Sequence, residues 1–158
     1  MKKGIVAVLS SVVGMAAGAG VASKKLSEEI QEQKGYADKH LALYLMMNQW
    51  VRAKQENKSV SEYLERNGFK EIAIYGMHYA GQTLLSELRE SGIKVKYGID
   101  QKTDDKYLEI NVVTPDDPLE DVDAVVVTAI TFFNEIEEKL SRRMNCPILS
   151  LEDILYDM

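Results

Sequence analysis

Basic surface, cysteine and histidine are all scarce in this 158-residue chain, and each scarcity removes a class of function. Lys and Arg number 19 against 25 Asp and Glu, giving a net charge of −6, and no cluster of basic side chains makes a sustained face after residue 25. Nucleic acid is therefore not an expected partner, because it needs such a face to neutralise phosphates. The single cysteine, Cys146, cannot form an internal disulfide and reads as a small buried apolar residue. His40 and His78 lie far apart, so no spacing resembles a zinc site. The Tyr-x-x-x-Lys pair of short-chain dehydrogenase-type epimerases is absent, and neither histidine sits in a nucleophile-elbow context. A non-catalytic or accessory role is favoured.

Hydrophobic residues make up 46% of the chain and charged residues 28%, enough for one ordinary core and hardly for two. The expected division is an N-terminal anchor or signal at 1–25, a helical lead-in at 26–69 and an α/β domain at 70–158.

Gly4 to Ala22 carries no charge and is bracketed by Lys2-Lys3 and Lys24-Lys25. As a helix these nineteen residues would span about 28 Å, roughly one hydrocarbon core. The segment is rich in Gly, Ala and Ser, so a retained single-pass anchor and a cleaved signal are both readings of it, the anchor being preferred. Lys24, Lys25, Lys34 and Lys39 after the segment outnumber Lys2 and Lys3 before it, which places the following domain on the cytoplasmic side of the cell membrane. Ser10, Gly14, Gly18 and Ala22 recur every fourth residue, a small-residue face of the kind that lets two helices approach in lipid, so a homo-oligomer through Gly14 and Gly18 is a further expectation. Chance spacing in a Gly/Ala-rich stretch is the alternative.

From Leu26 to about Lys54 the chain reads as a helix whose face His40, Leu43, Tyr44, Met47, Trp50 and Val51 would pack on the protein's own core, with His40 structural, or on a partner. Ser59-Val60-Ser61-Glu62 matches a capping box for a short helix ending at Asn67-Gly68.

The strongest signal follows. Glu71 to Tyr75 is a short apolar strand leading into Gly76-Met77-His78-Tyr79-Ala80-Gly81 and a helix bearing Leu84, Leu85 and Leu88. Strand, glycine turn and helix stand in the order of a dinucleotide-binding fold. Gly76 permits the tight turn, Gly81 lets the helix lie close to the sheet, and amides at the helix start suit a phosphate. Ile93 to Ile99 reads as a second strand ending at Asp100, nineteen residues past Gly81, where an acidic residue meets a ribose hydroxyl. Leu108 to Val113, Asp123 to Thr128 and Pro147 to Leu149 supply three more strands. A helix from about Phe132 to Met144 separates the last two, and Ser150 with Asp153 would cap a final short helix. The pattern predicts a small Rossmann-like parallel sheet of about five strands in the order 3-2-1-4-5, preceded by a transmembrane and an amphipathic helix.

His78 occupies the place of the middle glycine of G-x-G-x-x-G, where a side chain obstructs close approach of a pyrophosphate. Three readings follow: the imidazole itself binds a phosphate or sugar hydroxyl, a nucleotide is held by Gly76, Gly81 and Asp100 without it, or the fold binds no nucleotide and serves as an interaction module.

Met47 to Trp50 with Lys54-Gln55, Ile72 to Met77, Val95 to Asp100 and Val126 to Ala129 together resemble the Rossmann-like domains associated with bacterial capsular or exopolysaccharide biosynthesis, which occur alone and as appendages of glycosyltransferases. The resemblance covers about residues 40–158, and related domains carry Gly at the position of His78. It implies a bacterial protein working near nucleotide sugars or lipid-linked glycans at the inner face of the membrane; the ligand itself is unknown, NAD(P) and a nucleotide sugar being the candidates. The first functional reading is thus a membrane-tethered module presenting a nucleotide to a polysaccharide-assembly enzyme, its crevice formed by Gly76, Met77, His78, Gly81, Asp100 and Thr128. The second is a structural partner acting through its helices with an empty crevice, and the third is an enzyme using His78 as acid or base.

Overall fold

Apolar residues along the strands alternate between two faces, and both faces are covered by helices. The computed structural model describes residues 2–101 and 109–158, with side chains from Lys24 onward. It divides into two units, Met1–Leu41 and Ala42–Met158.

The first unit is the N-terminal part of α1 (Lys2–Gln55). The first proline of the chain is Pro115, so nothing in this stretch removes a helical amide. The expected anchor and the Gly14/Gly18 face fall on side chains outside the described residues. Among the described residues no helix is long and apolar enough to cross a membrane. His40, expected to be structural, is exposed.

In the second unit, α2 (Val60–Arg66) leads to β1 (Glu71–Tyr75), α3 (Tyr79–Leu88), β2 (Lys94–Ile99), β3 (Val112–Val113), β4 (Ala124–Val127), a 3-10 turn, α4 (Phe133–Ser141), β5 (Ile148–Ser150) and α5 (Leu151–Asp157). The five strands are parallel and lie in the order β3-β2-β1-β4-β5, the order expected from the sequence. Ile72 and Ile74 of β1, with Ala124 and Val126 of β4, meet Trp50, Leu64, Leu84 and Leu155 on one face. Ala73, Tyr75, Val125 and Val127 meet Ile136 and Leu140 of α4 on the other. The two-residue period thus sorts one strand into two cores, and β4 is buried on both sides as its continuous apolar run implies.

Four sequence readings shift at this level. The third strand is only Val112–Val113, and Leu108, its expected start, lies outside the described residues. The buried line of α1 is Met46, Trp50 and Ala53, whereas Leu43, Tyr44 and Val51 of the expected face are exposed; the apolar stripe is wider than its buried part. Cys146 is half-exposed at the edge of the second core. Ser150 stands at the N-cap of α5 but makes no side-chain capping bond and is buried at the end of β5.

The short helix α2 is held at both ends as its sequence suggests. The Ser59 hydroxyl accepts from Glu62 N–H at 3.2 Å. At the far end Phe69 N–H reaches Leu64 O and Gly68 N–H reaches Glu65 O, both at 3.0 Å, with Gly68 at φ +83°, the paired bonds of a Schellman stop. A buried carboxylate then joins three helices. Glu87 of α3 accepts from the Trp50 indole N–H at 2.6 Å and from Val60 N–H at 2.8 Å, and pairs with Lys54 at 2.8 Å.

Candidate functional site

The strand order makes β1 and β4 neighbours whose chains leave in opposite directions, α3 covering one face of the sheet and α4 the other. Such a divergence opens a crevice beyond the C-terminal strand ends. One of about 540 Å³ is present here, within the range of about 300–1,000 Å³ common for small-molecule sites.

Its floor is built by the turn after β1. Gly76 has φ +91°, and a Cβ there would lie 2.7 Å from the Thr128 hydroxyl, so glycine is required twice over. The turn is pinned by Gly76 N–H to Ile99 O at 2.8 Å and by the Thr128 hydroxyl, which donates to Gly76 O at 2.6 Å. The next amide, Met77 N–H, donates to Asp100 Oδ2 at 2.7 Å. The tip of β2 and the glycine turn are thereby locked together. His78 caps the start of α3 without a side-chain capping bond, and its exposed ring stands edge-on to Tyr79 with centroids 4.1 Å apart. At Gly81 a Cβ would fall 2.1 Å from Gly76 O, which gives the close helix-to-turn approach expected of that residue.

Of the six residues singled out in the sequence, Gly76, His78 and Asp100 line the crevice. The other three support it from behind. Met77 is buried, and its side chain occupies the space over Gly98, where a Cβ would meet Met77 Cγ at 2.7 Å. Gly81 and Thr128 are buried as well, the latter with its hydroxyl turned onto the turn carbonyls.

Sequence reasoning missed the opposite wall, which the 3-10 turn (Ile130–Phe132) and α4 provide through Phe132, Glu135, Ile136, Lys139 and Leu140. Phe132, Glu135 or Ile136, and Lys139 recur at helical spacing in the segment that follows the fully buried β4 and its short connection, and that position was the available signal. Lys139 pairs with Asp116 at 2.9 Å and holds that carboxyl below the usual range. Asp117 is held low by the amide and hydroxyl of Thr114, so the acidic loop is ordered against α4 by its own bonds and by Arg143, which donates to Asp117 O at 2.7 Å. Among the described residues, Glu135 and Asp100 are the carboxylates that line the crevice and Lys139 is the ammonium.

Chemically the arrangement offers an apolar wall with an aromatic ring, a carboxylate at a strand tip and an imidazole at the rim. It suits holding a flat ring and a diol. Among the described residues no group of three or more His, Cys, Asp or Glu side chains could hold a metal ion. Compared with models of known protein families and with curated protein sequences, the chain matches none.

Proposed function

We propose that the protein is a membrane-tethered, Rossmann-like accessory protein of polysaccharide biosynthesis that holds a nucleotide or nucleotide sugar in the crevice between the Gly76 turn and α4. The observation that carries the ligand reading is the position of Asp100, at the tip of β2 on the border of a crevice at the switch point of a parallel sheet. A carboxylate accepts more than one hydrogen bond, so the contact with Met77 N–H is compatible with a ribose diol on the same group. Polysaccharide assembly is supported by the sequence resemblance. The tether is supported by the uncharged run Gly4–Ala22, and the basic residues after it favour a cytoplasmic side for the domain.

A thermal-shift series on the purified full chain with NAD, NADP, ATP, UDP and UDP-sugars tests the ligand. A ligand at a hundred times its dissociation constant adds about 2.7 kcal/mol, a rise of several degrees in Tm. Asp100→Asn retains an oxygen for Met77 N–H while removing the charge, so it is expected to fold normally and lose most of that rise. An unshifted Tm with every compound would sink the ligand reading. It would favour the structural-partner reading, which is supported by the exposed Leu43, Tyr44, Leu45 and Val51 on α1.

The tether has its own check. In bacterial membranes the chain should resist alkaline extraction, and substituting Gly14 and Gly18 by Leu should reduce cross-linked dimer. Release into the soluble fraction would contradict the tether. Undiminished dimer would contradict pairing through these glycines.

A further inference from the structure

In the first unit, every side chain from Lys24 to Leu41 of α1 is exposed. A helix in water draws most of its stability from packing an apolar face, and Gly35 inside this one lowers what it has of its own. Large apolar side chains are present for such packing: Leu26, Ile30, Tyr36 and Leu41 are 58%, 60%, 53% and 55% exposed. Leu26, Ile30, Gln33, Ala37 and His40 follow one another at alternating steps of four and three, the spacing of a coiled-coil seam. Glu29 and Tyr36 flank that seam on one side, Lys34 and Leu41 on the other. Glu28 and Glu32 occupy places turned away from it.

We infer that this segment is an interface between two copies of the chain, which pair here as a parallel, in-register coiled coil. Charge complementarity identifies the occupant as a second copy. In a parallel pair each residue on the Glu29 side faces the residue five positions further on in the other helix. Glu29 then meets Lys34 of the second copy and Tyr36 meets its Leu41, each contact occurring twice by symmetry. An antiparallel pair keeping the same layers sets Lys34 beside Lys34 and forfeits the attraction. Gln33 faces Gln33, and because a side-chain amide both donates and accepts, that polar place is satisfied and fixes the register. The pairing is independent of the nucleotide reading and of the Gly14 and Gly18 face. Each dimer carries two crevices.

The test uses the purified full chain in detergent micelles with Cys146→Ala, given one new cysteine at a time and oxidised at low ionic strength. Ile30→Cys and Ala37→Cys, on the seam, are expected to form disulfide-linked dimer, and Glu28→Cys and Glu32→Cys, on the outward side, to do so about tenfold more slowly. In the Ala37→Cys chain, Lys34→Glu should lower the dimer about fivefold, as two exposed ion pairs turn from attraction to repulsion. Adding Glu29→Lys should restore it. The seam pattern should persist when Gly14→Leu and Gly18→Leu are both present. Equal cross-linking at all four positions, none at the seam, loss of the pattern with the two leucines, or no response to the charge exchange would each overturn the inference. None of these outcomes bears on nucleotide binding.

Discussion

Gly81→Ala is expected to destabilise the second unit by about 3 kcal/mol or more, a magnitude at the upper end for overpacking. Glycine inside a helix ordinarily costs stability relative to alanine by about 0.5–1 kcal/mol, so the usual sign is reversed here. The reason is geometric. A methyl at Gly81 would lie 2.1 Å from Gly76 O and 3.0 Å from its carbon, and these are backbone atoms fixed by Thr128 and Ile99. Relief requires moving either α3 or the turn that lines the crevice. Gly35→Ala is the control, because a Cβ there meets nothing within 4 Å in the exposed helix α1, and it should raise helicity. Urea denaturation read by far-ultraviolet dichroism checks both. An unchanged midpoint for Gly81→Ala would contradict the close approach of α3 to the turn.

Glu87→Leu is expected to cost about 3–5 kcal/mol, the range for removing one partner of a buried charged group. The carboxylate, with its side chain only 7% exposed, serves the Trp50 indole, the first amide of α2 and Lys54. A leucine satisfies none of them, and each buried donor left unpaired costs about 1–3 kcal/mol. Glu87→Gln keeps one acceptor oxygen but turns its amide NH2 toward the other donor, so it should lose less than Glu87→Leu without matching the wild type. Trp50 is the chain's single tryptophan, so its emission reports the contact directly. Glu87→Leu should move the urea midpoint down and shift that emission, and no change in either would place the cohesion of α1, α2 and α3 in their apolar contacts alone.

The sheet was legible in the sequence because its signals are local. Apolar runs bounded by glycine, aspartate or proline marked β1, β2, β4 and β5, and their alternation with helices implied parallel pairing and the order 3-2-1-4-5. The Gly76 turn, Gly81 and Asp100 were legible for the same reason, since strand, turn and helix are contiguous. Glu87 was not, because its three partners come from residues 27 to 37 positions away and nothing near it in sequence announces them. The phase of the α1 stripe was misread because apolar residues cover more of that helix than its docking face. Phe132, Glu135 and Lys139 were overlooked because a helix that covers a sheet also presents its edge to the crevice, and an amphipathic pattern describes only its core side. The roles of Met77 and Thr128 also depended on tertiary direction, since both lie at the strand ends yet turn inward.

The most direct test of whether the crevice holds a nucleotide is a map of backbone amide chemical shifts during titration with the nucleotide giving the largest thermal shift. Nucleotide binding at the switch point predicts that Gly76, His78, Asp100, Gln101, Ala129 and Phe132 move together with one saturation curve, while amides of α2 and α5 stay in place. Perturbations confined to the groove of Met47, Trp50, Val51 and Thr83, or scattered over the surface without saturation, would contradict it.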